Sequence, residues 1–137
     1  MQKGSSNVPA LDVLLYRLAR GTGSRASRHL LLTTRGRKTG KQRTVRVGFV
    51  REGDTYLLVG SNAGQANMPG WYLNLTANPT VDVQVGTRHF QAKADILTGE
   101  ERARLWEKFI DERPDFAAMQ LKVSRLFPLV RLTPAAR

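Results

Sequence analysis

Apolar residues in this chain recur first with a helical period. Leu11, Leu14, Leu15 and Leu18 fall at i, i+3, i+4 and i+7, the stripe of an amphipathic helix. Asn7 is placed to cap that helix, Pro9 suits its first turn, and Gly21 and Gly23 stop it. The pattern then shortens. His29–Thr34 (HLLLTT) reads as a buried strand. Arg35–Gln42 (RGRKTGKQ) has two glycines and no large apolar residue, so it reads as a turn. In Arg43–Val50, Val45, Val47 and Phe49 alternate with Thr44 and Arg46, which predicts a half-buried strand. Glu52-Gly53-Asp54 closes a hairpin onto Tyr56–Gly60.

Ser61–Gly70 (SNAGQANMPG) has no period and reads as a loop before a short helix, Trp71–Ala77, ended by Asn78-Pro79. Val81–Val85 and Arg88–Ala94 form a hairpin across Gly86-Thr87. Thr98 and Glu101 have the spacing of a capping box. Leu105, Trp106, Phe109 and Ile110 then line the inner face of a helix that Pro114 breaks. A second helix over 115–125 leads to a last strand, Leu129–Thr133. Five or six strands with hairpin connections and few helices predict an antiparallel barrel with helices packed outside, a mainly β (α+β) fold. Residues 1–7 read as a flexible tail, and 8–137 as a single domain without internal repeats.

Charge changes the picture. Residues 1–50 hold eleven Lys/Arg against one acid, Asp12, a balance of +10; residues 51–137 hold eleven bases against ten acids, a balance of +1. Such asymmetry points to an anionic partner: nucleic acid, a membrane surface, or a ligand with several negative charges. Aromatics are 7% of the chain and none lies in the basic turn, which argues against a single-strand nucleic-acid surface. Cysteine is absent and only His29 and His89 could serve as imidazole ligands, so no metal is expected. His29 heads an apolar strand and His89 sits in a hairpin, where packing or surface roles fit them better than catalysis. No apolar run reaches the roughly 20 residues that span a bilayer, and no secretory signal opens the chain. A cytoplasmic protein is expected.

Two stretches can carry chemistry. Arg35, Arg37, Lys38, Lys41 and Arg43 lie within nine residues of a glycine-containing turn, whose amides and cations suit anions. Ser61–Gly70 runs into Trp71-Tyr72, so a helix N-terminus could hold phosphate while the aromatic pair walls a planar ring or packs as core. No Ser-His-Asp set, paired carboxylates, Walker loop or dinucleotide fingerprint stands out. An anion cradle without acid–base machinery fits a cofactor that brings its own chemistry.

Leu31–Arg43 (LLTTRGRKTGKQR), Gly60–Gly64 (GSNAG) and Pro69–Pro79 (PGWYLNLTANP) together resemble the deazaflavin-dependent nitroreductase family over about residues 10–133. The resemblance implies a split β-barrel with flanking helices, similar to FMN-binding split barrels. It also implies coenzyme F-420, an 8-hydroxy-5-deazaflavin with a phosphate and a polyglutamate tail. The implied coenzyme-binding residues are Arg37, Lys38, Thr39, Arg43, Thr44, Val45, Arg46, Val47, Gly48, Val59, Gly60, Ser61, Asn62, Gly70, Trp71, Tyr72, Leu73 and Asn74. Arg37, Lys38 and Arg43 should meet the tail and phosphate. Amides near Gly70–Tyr72 should support phosphate or ring oxygens, and backbone near Val47 and Gly48 should let the ring lie close. Nitroreductase members carry substrate-pocket tyrosines where this chain has Arg113, Phe116 and Met119. Ser61, Phe116 and Met119 are therefore the candidate substrate-side residues.

The implied function is hydride transfer from reduced coenzyme F-420 to a small conjugated acceptor such as a quinone or a nitro compound. The alternatives are a split-barrel oxidoreductase with FMN, or a non-catalytic protein for lipids or anionic ligands. The basic N-terminal helix also offers a peripheral membrane contact. Monomer and homodimer both stay open.

Overall fold

A computed structural model of the chain describes residues 11, 13–18 and 28–135. The flexible tail expected over 1–7, the Asn7 cap, Pro9 and the stops at Gly21 and Gly23 lie outside the described residues. After helical residues 13–18 (α1) come β1 (His29–Arg35), β2 (Gln42–Gly48), β3 (Val50–Glu52) and β4 (Thr55–Val59). A 3-10 turn at Asn62–Gly64 precedes α2 (Gly70–Ala77), β5 (Thr80–Val85) and β6 (Arg88–Ile96). The chain ends with α3 (Gly99–Glu112), α4 (Pro114–Leu121) and β7 (Leu129–Pro134). The strands form one antiparallel sheet in the order β2-β1-β5-β6-β7-β4-β3. This is a split antiparallel barrel with flanking helices, with seven strands rather than five or six.

The extra strand comes from Arg43–Val50, expected as one element. It breaks at Phe49, where the chain passes from β2 at one sheet edge to β3 at the other. The Phe49 amide donates to Arg28 O at 3.0 Å, and its ring meets Tyr56 edge-on at 5.3 Å. The expected alternation survives, with Val45, Val47 and Phe49 on the inner cluster.

Two strands without clean alternation are buried on both faces. In β4, Tyr56 and Leu58 join the inner cluster while Leu57 and Val59 pack outward beneath α3 and α4. In β1, Leu30 and Leu32 point inward, and Leu31 packs under Val13 and Tyr16 of α1. Continuous apolar runs are what such two-sided burial demands. Leu105 and Phe109 of α3 are buried as expected, with Trp106 and Ile110 half-buried beside them.

Three local expectations need correction. The helix 13–18 buries Val13 and Tyr16, not the leucine stripe; Leu11, Leu14, Leu15 and Leu18 are 51–71% exposed. Tyr16 selects the buried face: its hydroxyl donates to His29 O and accepts from the Gly86 amide, both at 3.0 Å. Thr98 does stand at the α3 N-cap, but its side chain makes no capping hydrogen bond. Glu101 instead takes a hydrogen bond from Arg131 Nη1 at 2.7 Å. The helix expected over 115–125 runs only from Pro114 to Leu121. The Gln120 side chain accepts from the Phe127 amide at 2.7 Å and donates to Arg125 O at 2.8 Å, fixing the chain in a non-helical course.

Candidate functional site

The basic turn is built by two backbone bonds, Gly36 N to Lys41 O (2.7 Å) and Gly40 N to Gly36 O (2.8 Å). Gly40 has φ +76°, a conformation open to glycine at little cost. Asn74 of α2 latches the turn to the barrel. Its Oδ1 accepts from the Arg37 amide (3.2 Å) and Arg37 Nη1 (3.0 Å), and its Nδ2 donates to Thr34 Oγ1 (3.0 Å). Asn74 is buried, so this latch is shielded from competing water. Arg37, Lys38, Thr39, Lys41 and Arg43 are exposed. Among the described residues, no carboxylate forms an ion pair with any of the turn's cations.

Along β2 the side chains part by face. Val45 and Val47 turn into the inner cluster. Thr44 turns outward and shares a 2.8 Å hydroxyl contact with Thr33, while Arg46 lies over the Tyr16 ring at 5.9 Å. At Gly48 the structure departs from expectation. A Cβ there would stand 2.7 Å from Arg113 Nη2 and 2.9 Å from Nη1, so a guanidinium occupies the room expected for a flat ring.

The loop after β4 is held in an uncommon shape. Asn62 and Ala63 both have positive φ, at 50° and 55°. Non-glycine residues there cost energy that surrounding contacts must offset. Arg125 supplies those contacts, donating to Ser61 O (2.8 Å), Gly60 O (3.0 Å) and Gln65 O (3.1 Å). Burial lowers the Arg125 pKa from its ordinary value, but the guanidinium stays charged. Gly60 is packed rather than open, since a Cβ would meet Pro128 Cγ at 2.7 Å. Ser61 is buried at the base of this loop.

At the start of α2, the amides of Tyr72 and Leu73 are taken by Pro69 O at 3.1 and 3.3 Å. That leaves the amides of Gly70 and Trp71 for a ligand, fewer than expected, and Gly70 is exposed with open space above it. Trp71 and Tyr72 are half-buried against the inner cluster, with rings 6.5 Å apart and nearly perpendicular.

Of the substrate-side residues, Phe116 packs edge-on against Phe109 at 5.0 Å and joins the outer cluster with Met119. Met119 Cγ lies 3.2 Å from where a Cβ of Gly64 would stand, so α4 abuts the Ser61 loop. Arg113 bridges to the other side, over Phe116 at 5.3 Å and on Gly48. Thus the structure brings Phe116, Met119, Gly48 and the Ser61–Gly64 loop to one seam, and joins the basic turn separately to α2.

The sequence did not reveal Arg125 as a clamp or the Asn74 latch, because their partners lie about 40 to 65 residues away. A groove of about 410 Å³ on the outer sheet face, lined by Arg17, Thr33, Asp82, Gln84 and His89 among others, involves none of the expected site residues. Leu31, Val83 and Phe90 line it as well.

The residues fit the coenzyme the sequence implied: unpaired exposed cations for a polyanionic tail, and free amides at a helix start for phosphate. Comparison with known proteins agrees. Residues 11–134 match the family model described as "F420H(2)-dependent quinone reductase". An F420H(2)-dependent quinone reductase of Mycobacterium tuberculosis (strain H37Rv) is 39% identical over 107 residues, covering 76% of this chain and 72% of that protein. A solved F420-H2 dependent reductase (FDR-A) is 39% identical, with TM-score 0.70, over 77% of this chain and 93% of that one. A structure described as a domain-swapped dimer is 34% identical, with TM-score 0.73, over 90% of this chain and 96% of that one. The chain is a deazaflavin-dependent reductase that uses coenzyme F-420, and it belongs to the F420H(2)-dependent quinone reductase family.

Proposed function

We propose that this reductase passes a hydride to a flat, largely apolar quinone, and that nitro compounds are poor acceptors for it. The coenzyme, when bound, supplies the hydride; the protein's task is to hold and align. Arg37, Lys38 and Arg43 hold the phosphate and polyglutamate tail. Asn74 orients Arg37 for that contact. The amides of Gly70 and Trp71 point at anionic oxygens, and Val59–Asn62 with the free edge of β2 bounds the ring. On the acceptor side, Phe116 and Met119 present apolar surface, and Ser61 offers one hydroxyl.

The observation that carries this reading is the cluster of exposed, unpaired cations on the latched turn. A solvated structural surface would intersperse acids among them. A ligand with several negative charges supplies the missing counter-charge. The test is direct titration of the protein with oxidised coenzyme F-420 and, separately, with FMN, followed by ligand fluorescence. Binding of the deazaflavin at least tenfold tighter than FMN is expected. Equal or preferential binding of FMN would overturn the assignment of the turn to the long anionic tail.

A second feature concerns a partner. Leu11, Leu14, Leu15 and Leu18 are exposed on a helix that also carries Arg17. Apolar side chains beside cations suit the surface of an anionic membrane, where quinones partition. Co-sedimentation with anionic but not zwitterionic vesicles is the expected result. No sedimentation with either, together with a dimer in solution, would assign the leucines to a second copy instead.

A further inference from the structure

Among the described residues Arg113 is the one charged side chain that is buried, and it is poorly neutralised. Its Nη1 donates to Phe49 O and Arg28 O over long distances, 3.3 and 3.4 Å. Its Nε is buried with no partner. No described residue accepts from Nη2, and no described carboxylate lies within ion-pairing distance. Burial lowers its pKa, the nearby charge of Arg28 lowers it further, and only Asp115 pulls the other way from beyond contact range. A guanidinium nonetheless keeps its proton in proteins. A buried charge held by two weak carbonyl contacts is costly unless something compensates it.

Its placement says what compensates. The guanidinium rests on Gly48 at the end of β2, where any side chain would displace it. It lies over the Phe116 ring at 5.3 Å, and α4 carries Met119 on to Gly64 of the Ser61 loop. Arg113 therefore stands where the coenzyme strand meets the apolar helix of the acceptor side.

We propose that Arg113 determines acceptor specificity: its Nη2 donor binds an anionic oxygen on the acceptor ring, so that ionised hydroxyquinones are preferred over neutral quinones of equal size. This rests on the reading that β2, the Ser61 loop and α4 frame the acceptor. The chemistry balances without another reactant. The reduced coenzyme gives up a hydride and a proton, the quinone takes both, and its two carbonyls become two hydroxyls. Arg113 is not consumed; it holds the oxygen that is already negative.

The experiment compares 2-hydroxy-1,4-naphthoquinone, ionised at neutral pH, with neutral 2-methyl-1,4-naphthoquinone. Dissociation constants are measured by tryptophan quenching with oxidised coenzyme bound, and kcat/KM with reduced coenzyme. In the wild type the anion should be favoured about tenfold or more, the worth of one charge-assisted hydrogen bond. Arg113→Met should abolish that preference in both readouts. Arg113→Lys should restore part of it. Gly48→Ala, which keeps Arg113 but pushes the guanidinium off its seat, should weaken it as well. Arg113→Met that binds coenzyme normally and keeps the wild-type preference overturns the proposal. If Arg113→Met does not fold, an unchanged preference in Gly48→Ala overturns it. Failure of the wild type to bind oxidised coenzyme would instead overturn the reading of the coenzyme site, a distinct outcome.

Discussion

The basic turn and the seam between β2 and α4, proposed as the coenzyme and acceptor sides, both carry arginines but in opposite settings. On the turn, Arg35, Arg37 and Arg43 are exposed, and Lys38 and Lys41 stand with them. Water screens their mutual repulsion, so the cluster costs little until an anion arrives. Across the seam, Arg113 is buried and Arg125 partly so, and both donate mainly to backbone carbonyls. In the proposed function the exposed cations await a ligand, whereas the buried ones hold backbone in place, with Arg113 left partly unsatisfied. The same residue type thus serves recognition or architecture according to burial.

That contrast breaks if the turn proves structural. Arg37→Ala with Lys38→Ala removes two charge-assisted contacts worth about 1.5–3 kcal/mol each. Affinity for coenzyme F-420, read by fluorescence titration, should fall by far more than tenfold. Thermal stability should barely move, since only the Arg37 Nη1 bond to Asn74 is lost and its amide bond to Asn74 stays. Arg125→Met should do the reverse. It forfeits hydrogen bonds to three carbonyls that hold the left-handed Asn62 and Ala63. A loss of about 2–3 kcal/mol on denaturant unfolding is expected. Phe116→Tyr with Met119→Tyr should shift the kcat/KM ratio of a nitroimidazole to a quinone several-fold toward the nitro compound, by adding hydroxyls to the acceptor side. A wild type that already prefers the nitroimidazole strongly would contradict the apolar reading of that wall. The smallest effect is expected from Glu101→Ala. Its ion pair with Arg131 is half-exposed and should contribute at most about 1 kcal/mol.

The basic turn was legible in the sequence because its signal is local. Five cations and two glycines within nine residues need no tertiary knowledge, and the turn forms where they lie. Strand alternation in 43–49 and the inner face of α3 were legible for the same reason. The seam was not, since its contacts join Arg113 to Gly48 and Arg125 to Gly60, about 65 residues apart in each case. Gly48 was read as room for a ligand ring; nothing in its neighbourhood names the guanidinium that fills it. The N-terminal leucines misled differently. Periodicity marks an apolar face but not what covers it, and Tyr16, through two hydrogen bonds, turned the other face inward.

The central claim is that the unpaired cations of the turn bind the anionic tail. It is tested most directly by the affinity ratio between coenzyme F-420 and the same deazaflavin lacking phosphate and glutamates. Both are titrated by fluorescence into the wild type and into Arg37→Ala/Lys38→Ala. The wild type should favour the tailed coenzyme by more than tenfold, and the double variant should lose most of that advantage while binding the tail-less ring as before. An equal ratio in both proteins would contradict the claim.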